Sequence, residues 1–150
     1  MTANGLISQA LGLQASYYVL KGKSKEVLSI DIDRKILVST GLSQSSSIIL
    51  SFAIEIALKG LLKFRFNNFP RIHNLKKLYE RLDENDRIKI SEIYKQKTGS
   101  DINECLERHK DMFMEFRYLE LKIDEPNDNK KVDAALDSVI EFYNLIKNNT

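Results

Sequence analysis

The stretch from Ser43 to Phe66 constrains this chain more than any other, because it is the longest segment that is both apolar and helical in its periodicity. On a helix, its polar residues recur every four positions and form one narrow stripe, made of Ser51, Glu55, Lys59 and Lys63. Apolar residues fill the rest of the circumference: Ile49, Phe52, Ala53, Ile56, Ala57, Leu58, Leu61, Leu62 and Phe64. A helix that is apolar over most of its girth is surrounded by other elements. The stretch therefore predicts a central helix that its neighbours enclose.

Two details of this central helix predict specific contacts. Ala53, Ala57 and Gly60 are small, so they allow a partner helix to approach closely. Glu55 precedes Lys59 by four residues, which is the favourable order for an ion pair within a helix.

Before the central helix, the pattern predicts one helix and one irregular segment. Residues 4–22 repeat apolar side chains at the helical spacing of three and four, and we expect the basic run Lys21 to Lys25 to end this helix. Residues 28–32 alternate as in a strand, but a single strand without a partner is not stable. We therefore expect residues 26–40 to be irregular.

After the central helix, the pattern predicts four more helices. Pro70 disfavours helix at the residue before it, so the segment Asn67 to Pro70 is the turn. Gly99 is expected to close one helix, and Asp101 with Glu104 has the spacing of a capping box for the next. The acidic runs 83–86 and 124–128 are expected to separate helices, which gives predicted spans of 74–82, about 87–97, about 101–122 and about 129–148.

These spans predict an all-α fold of one kind. Four long helices form an antiparallel up-and-down bundle, and two short helices are inserted between the second and fourth long ones. The chain has 150 residues, of which 43% are apolar and 29% charged, which is ordinary for a globular protein with a proper core. We therefore expect a single domain over residues 1–150.

Composition also excludes several classes of function. The single cysteine, Cys105, excludes an internal disulfide and a cysteine cluster for zinc, so we expect a reducing, cytoplasmic setting without a metal or cofactor. The first twenty residues contain no Lys or Arg, and the apolar run of the central helix ends at Glu55. We therefore expect neither a signal peptide nor a membrane span.

The charges are distributed unevenly along the chain. The segment 59–81 contains seven cations and one carboxylate, whereas residues 101–150 contain seven cations and twelve carboxylates. The cations are Lys59, Lys63, Arg65, Arg71, Lys76, Lys77 and Arg81. Such a basic stretch, with aromatic residues interspersed, can bind the phosphates and bases of RNA. The alternative is that these charges form an ordinary solvated helix face.

Histidine offers the main route to catalysis in this sequence. It contains no glycine-rich phosphate loop, no paired cysteines and no common hydrolase motif, and its two histidines are His73 and His109. His109, Phe113 and Arg117 are spaced four residues apart and would share one helix face. There the guanidinium of Arg117 can hold a phosphodiester while the imidazole of His109 moves a proton.

Each of these residues also has a purely structural interpretation. His109 can be a hydrogen-bonded core histidine, and Arg117 can pair with Glu120 or Glu55. His73 or Asn74 can satisfy the first amides of the helix that follows, and Cys105 can be a small core residue.

Three motifs of the chain resemble the HEPN superfamily of small helical-bundle proteins. They are A-x-E-x-x-L-K-x-L-L at Ala53 to Leu62, HNLKKL at His73 to Leu78, and HKDMFMEFRYLE at His109 to Glu120. The resemblance implies a homodimer with an active groove at the interface, and often a metal-independent endoribonuclease that serves as a toxin or in antiviral defence. The chain departs from the family's catalytic signature, an Arg followed by a His after four to six residues, because none of its arginines has a His at that distance.

Two functions are therefore predicted as alternatives. The first is a homodimer that binds or cleaves RNA in a toxin–antitoxin or defence system, in which His109 and Arg117 are catalytic. Its RNA-binding residues would be Lys59, Lys63, Arg65, Arg71, His73, Lys76 and Lys77. The second is a noncatalytic helical module that holds a protein partner, such as a cognate antitoxin or a defence protein. Nucleotide binding without turnover is a third interpretation, which the resemblance alone suggests.

Overall fold

One long helix forms the centre of the fold, and the others are arranged around it. The structure, a computed structural model, describes residues 1–26, 32–111 and 129–149, with side chains for all of these except 24–40. Its elements in chain order are α1 (Ala3–Glu26), α2 (Ile32–Phe66), α3 (Leu75–Glu80), α4 (Glu84–Thr98), α5 (Ile102–Arg108) and α6 (Asn129–Asn148). Every element in the described ranges is a helix, so the predicted all-α class is confirmed.

The central helix α2 is enclosed as its apolar circumference predicts. α1 packs along one side of it, α6 packs on another, and α3 lies against it near its C-terminus. The core residues that α2 contributes are Leu50, Ala53, Ile54, Ala57, Leu58, Leu61 and Leu62. The polar stripe is enclosed as well, since Ser51, Glu55 and Lys59 are buried. This burial of charge is the feature of α2 with the greatest consequence for function.

The predicted close approach to the small residues of α2 is present at Gly60. A Cβ atom added there would lie 3.0 Å from Cδ1 of Ile7 and 3.2 Å from Cβ of Leu6, both in α1. These distances are shorter than ordinary contacts, so α1 lies directly against the backbone of α2.

The N-terminal part of the chain is more helical than the sequence pattern predicts. α1 continues through the run Lys21 to Lys25 to Glu26, because lysine is a good helix former and is favourable near a helix C-terminus. Residues 32–40, expected to be irregular, belong to α2, and residues 27–31 lie outside the described ranges. Extending an existing helix adds one hydrogen bond per residue without a new nucleation step, which favours helix over an unpaired strand.

The short helix α3 begins where the sequence predicts. The side chain of Asn74 accepts a hydrogen bond from the backbone amide of Lys77 at 2.9 Å, so Asn74 is its N-cap. Between the two candidate caps of the sequence, His73 and Asn74, the structure thus shows Asn74 in this role.

Helix α4 begins about three residues earlier than predicted. The acidic run at 83–86 is its first turn instead of a break, because Glu84 and Asp86 are favourable beside the positive end of the helix dipole. Its end is as predicted: Gly99 has φ of 70°, in the left-handed region, and donates its amide to the carbonyl of Lys95.

Helix α5 ends at Arg108, so the predicted helix from 101 to 122 is wrong in its described part. His109 is the C-cap, and its amide donates to the carbonyl of Cys105 at 3.2 Å. The carbonyl of Lys110 then accepts from the amide of Leu75 at 3.1 Å, and Asn74 donates to the carboxylate of Asp111 at 2.9 Å. Contacts with the start of α3 thus replace the hydrogen bonds of a continued helix. Residues 112–128 lie outside the described ranges, so three of the four predicted long helices are seen in full.

Helix α6 has the predicted bounds. It buries Val132, Ala135, Leu136, Val139, Ile140 and Tyr143, which recur at helical spacing, and Ile146 is half-buried. This apolar face packs on α2, α4 and α5.

Candidate functional site

A carboxylate and an ammonium group are buried together in the middle of α2. The Nζ atom of Lys59 donates to Oε1 of Glu55 at 2.7 Å, which confirms the predicted pair at i and i+4. The Glu55 side chain is 2% exposed, and Lys59 is also buried. Charged side chains are almost never fully buried without a partner, since desolvation costs several kcal/mol for each ion. Burying this pair therefore carries a large unfavourable desolvation free energy.

One histidine connects this buried pair with the surface. Nδ1 of His73 lies 3.0 Å from the same Oε1 atom of Glu55, and the His73 side chain is 54% exposed. Lys59 lies 6.0 Å from the centre of the Phe69 ring, which borders the pair on the loop side. We name Glu55, Lys59 and His73 the Glu55 cluster.

The loop before α3 positions His73 through several independent contacts. Nζ of Lys63 donates to the carbonyl of Asn67 at 2.7 Å, and Asn67 itself adopts a left-handed φ of 55°. On the other side, Asn74 caps α3 and donates to Asp111. The backbone is therefore held at the start of the loop, at Asn67, and directly after the histidine, at Asn74.

This geometry prepares His73 for proton transfer. A carboxylate accepts hydrogen bonds, so Glu55 requires a proton on Nδ1 of His73. In the neutral imidazole, Nε2 then carries the lone pair and acts as the acceptor. A carboxylate that fixes the tautomer and orientation of an imidazole is the arrangement by which hydrolases set up a general base. The buried ammonium of Lys59 neutralises that carboxylate.

Of the two catalytic residues that the sequence predicts, the described ranges contain only His109. His109 is 4% exposed, and its Nδ1 lies 2.8 Å from the carbonyl of Cys105, with the sulfur of Cys105 at 4.0 Å. It thus matches the core-histidine interpretation in its contacts. Arg117 lies outside the described residues, so its position relative to His109 stays a prediction. The predicted pair of His109 and Arg117 therefore remains untested by the described residues.

Most of the cations predicted to bind RNA have partners within the protein. Arg65 forms a two-pronged contact with Asp86, with distances of 2.7 Å and 2.6 Å. Lys76 donates to Oδ1 of Asn103 at 2.5 Å, and Lys59 and Lys63 are engaged as described above.

Three cations of the same segment are presented to solvent. Arg71, Lys77 and Arg81 are exposed, and none of them forms an ion pair within the described ranges. The part of the basic stretch that can meet a phosphate is therefore smaller than its sequence suggests.

A second polar network, which the sequence pattern does not predict, lies between α1 and α6. Nε2 of Gln14, which is buried, donates to Oδ1 of Asp133 at 2.8 Å and to Oδ1 of Asp137 at 2.7 Å. The Tyr18 hydroxyl donates to Oδ2 of Asp133 at 2.8 Å. Burial of this hydroxyl and its bond to Asp133 raise the pKa of Tyr18 above its usual range. Asp133 and Asp137 are spaced four residues apart on α6, and this spacing is the sequence signal that could have indicated the network.

Other surface features of the described residues are less organised. A depression of about 380 Å³ is lined by Tyr79, Arg87, Lys95 and Asn103 among others, and mixes both signs of charge. Among the described residues, no three His, Cys, Asp or Glu side chains come together as a metal site requires. None of the described helices combines the length and the apolar character needed to cross a membrane.

The observations so far define an all-α protein in which one exposed histidine is fixed by a buried ion pair. The HEPN domain model matches residues 35–149, which is more than half of the chain. The chain therefore belongs to the HEPN family. At the family level this indicates an RNA-related function of the toxin or defence type. No curated protein and no solved structure matches the chain.

Proposed function

We propose that the protein cleaves RNA as a homodimer, within a toxin–antitoxin or antiviral defence system of the cytoplasm, and that His73 is the proton-transfer residue. The observation that carries this proposal is the contact of 3.0 Å between Nδ1 of His73 and the buried carboxylate of Glu55. Membership of the HEPN family supports RNA as the substrate class.

The proposed reaction needs only a base and positive charge near the phosphate. Nε2 of His73 takes the proton from a ribose 2′-hydroxyl, and the 2′-oxygen forms a bond to the adjacent phosphorus. The bond from phosphorus to the 5′-oxygen breaks, and this oxygen takes a proton from solvent. Arg71 and Lys77, both exposed, are close to His73 in sequence and would bind the phosphates.

Single substitutions test the role of His73. The purified protein is incubated with total RNA in the presence of a chelator, beside the variants His73→Asn and Glu55→Gln. We expect cleavage by the wild type and a loss of about 10²- to 10⁴-fold in His73→Asn, which is the usual contribution of a general acid or base. Because the His73 side chain is half-exposed, the variant is expected to fold, which its helical circular dichroism checks.

Matched variants test the alternative catalytic pair. His109→Asn and Arg117→Ala are assayed on the same RNA, and we expect His109→Asn to retain activity. Full activity of His73→Asn would overturn the role of His73, and loss of activity in both His109→Asn and Arg117→Ala would favour the sequence-predicted pair. Absence of both cleavage and salt-sensitive RNA binding in the wild type would remove RNA as the substrate.

A specific observation favours a second candidate function, a noncatalytic module that holds a protein partner. Lys59, Arg65 and Lys76, three of the predicted RNA ligands, are engaged within the protein. In that case the Glu55 cluster would only attach the loop before α3 to α2. His73→Asn would then lower the melting temperature without altering any effect of the protein on RNA.

A further inference from the structure

A depression lined by three helices has the character of a second binding site. Tyr79 of α3, Asn103 of α5 and one side of α4 surround a volume of about 380 Å³. Arg87, Ser91 and Lys95 follow each other at intervals of four residues, so they lie in one line along this side of α4. The volume is within the range of small-molecule sites, and none of the lining residues belongs to the Glu55 cluster.

Arg87 carries a charge that no residue of the described ranges neutralises. The residue is half-buried, and its Nε atom is buried without a hydrogen-bond partner. Its guanidinium also forms no ion pair with any residue that the structure describes. A buried donor without an acceptor is unfavourable and uncommon in native structures. An anion bound in the depression would supply the acceptor that is missing.

The backbone of Arg87 is fixed, whereas its charged end is not. The carbonyl oxygen of Arg87 accepts a hydrogen bond from the Tyr79 hydroxyl at 2.7 Å, which ties this turn of α4 to α3. No hydrogen bond to a described residue holds the guanidinium in place. It can therefore turn towards an anion in the depression without breaking a contact.

Two further donors are available beside Arg87. Ser91 is half-buried and Lys95 is exposed, and neither side chain has a hydrogen bond or an ion pair in the part of the chain that the structure describes. Arg87 and Lys95 lie one turn before and one turn after Ser91, about 6 Å away along the helix axis. Their long side chains can both reach an anion at Ser91. Guanidinium, hydroxyl and ammonium are the donors that proteins use for phosphate oxygens.

The charges of the lining leave an excess of positive charge. Its carboxylates are Glu84 and Glu92, and Glu92 accepts from Lys89 at 2.8 Å. Two cations, Arg87 and Lys95, therefore face the single carboxylate of Glu84. The depression suits one small anion.

We propose that this depression binds a small phosphate monoester, with the phosphate held by Arg87, Ser91 and Lys95. A phosphate monoester carries about −1.5 to −2 charges at pH 7, which balances the two cations. Ile88 also lines the depression and is 47% exposed, so it offers an apolar contact to the organic group of the ester. We name the depression the Arg87 site.

The same lining disfavours a nucleic acid as the ligand. A nucleic-acid strand carries a phosphate at every residue, and the phosphates on either side of the bound one would be repelled by Glu84 and Glu92. A base would find no ring to stack on, because Tyr79, the aromatic residue of the lining, is 2% exposed. The Arg87 site is thus separate from the proposed cleavage of RNA.

Nuclear magnetic resonance of ¹⁵N-labelled protein tests the ligand class. Inorganic phosphate, phenyl phosphate, benzoate and a single-stranded RNA are titrated separately, and the Nε–Hε signal of Arg87 is followed. We expect phenyl phosphate to shift this signal saturably and to bind more tightly than the other three probes. Absence of a saturable shift with both phosphate compounds would overturn the site. If benzoate or RNA shifts the signal more tightly than phenyl phosphate does, the assigned ligand is wrong.

Conservative variants test the residues of the site. Arg87→Lys keeps the charge but lacks the planar fork of the guanidinium, so phenyl phosphate should bind about tenfold more weakly. Arg108→Lys is the matched control, because Arg108 is exposed and lies outside the depression, and it should bind as the wild type does. Glu84→Gln should tighten binding about two- to fivefold, since it removes a repelling charge. Equal affinities in Arg87→Lys and Arg108→Lys would exclude Arg87 as a ligand.

Thermal melting separates a binding role of Arg87 from a structural one. Without ligand, Arg87→Met should melt no lower than the wild type, because it removes an unsatisfied donor and keeps most of the side-chain volume. Phenyl phosphate should raise the melting temperature of the wild type and leave that of the variant unchanged. A ligand-free variant that melts well below the wild type would show that Arg87 stabilises the fold, and the inference would be wrong.

Discussion

At the scale of single residues, the burial of Glu55 is the most consequential finding. Replacing a buried ion pair with apolar residues is often neutral or stabilising, so such a pair is weak evidence of a stabilising role. In this protein the same carboxylate oxygen contacts Lys59 and His73, and His73 reaches the surface. The contact of Glu55 with an exposed histidine is the reason why we propose a functional role for this buried charge.

Removing one partner of this pair should be far more harmful than removing both. Glu55→Ala leaves the ammonium of Lys59 buried without its carboxylate, and we expect a loss of about 3–5 kcal/mol in the free energy of unfolding. The double variant Glu55→Leu, Lys59→Met should be close to the wild type. Urea denaturation measures both.

An exposed pair provides the control for that experiment. Glu92 accepts from Lys89 at 2.8 Å on the surface of α4, and Glu92→Ala should cost less than about 1 kcal/mol. If Glu55→Ala costs as little as Glu92→Ala, the buried pair is solvated in practice and the explanation given for the cluster is wrong.

Tyr79 gives the protein a dependence on alkaline pH. Burial raises its pKa above the usual value of about 10, and its hydroxyl donates to the carbonyl of Arg87 at 2.7 Å. A raised pKa in the folded state means that the stabilisation is complete below pH of about 10 and is lost as the pH rises towards the folded-state pKa. We expect Tyr79→Phe to lower stability by about 1 kcal/mol at neutral pH and to flatten its decline above pH of about 10.

Thermal melts from neutral to strongly alkaline pH would check this expectation. Burial also raises the pKa of Tyr143, so part of the alkaline decline should remain in Tyr79→Phe. Parallel curves for the variant and the wild type would show that Tyr79 does not titrate in this range.

At the scale of elements, the contact between α1 and α2 depends on a single absent side chain. The Cβ of an alanine at Gly60 would meet Ile7 at 3.0 Å, so in Gly60→Ala the side chains of α1 must move away by a few tenths of an ångström. We expect a cost of about 1–3 kcal/mol, which is typical of an overfilled core. Gly41, also within α2, has no heavy atom near its Cβ position, and Gly41→Ala should instead stabilise by about 0.5–1 kcal/mol. Guanidinium denaturation of both variants would compare the two signs, and equal effects would contradict the close approach.

The bounds of α6 were predicted correctly from the sequence, whereas those of α5 were not. α6 has the predicted bounds because its apolar repeat, starting after an acidic run, is unambiguous. α5 was predicted too long because the apolar pattern continues past His109, whereas the helix ends where Lys110 and Asp111 bind the start of α3. Contacts between elements distant in sequence decided that boundary, and the local pattern does not contain them.

At the scale of the whole molecule, internal pairing reduces the charge available to RNA. The segment 59–81 has seven cations, but Arg71, Lys77 and Arg81 are those exposed without an ion pair in the described ranges. For single-stranded RNA, three phosphate contacts predict a slope of about −2 in a plot of log affinity against log salt for each protomer, and seven would predict about −5.

Fluorescence anisotropy with a labelled RNA at several salt concentrations measures this slope. Lys77→Ala should make the slope shallower by about 1, as expected for the loss of one phosphate contact. Lys97→Ala is the control, since Lys97 pairs with Glu141 of α6 at 2.8 Å, and it should leave the slope as in the wild type. A wild-type slope near −5 would mean that the paired cations rearrange on binding.

The sequence by itself determined the all-α class, the enclosed central helix, the pair Glu55 and Lys59, and the family resemblance. These follow from periodicity and short spacing, which local geometry translates directly into structure. Only the tertiary structure decided that the polar stripe of α2 is buried, that Glu55 meets His73 and that His109 lies in the core. Such contacts join residues 18 positions apart, here Glu55 and His73, and they depend on how the helices pack.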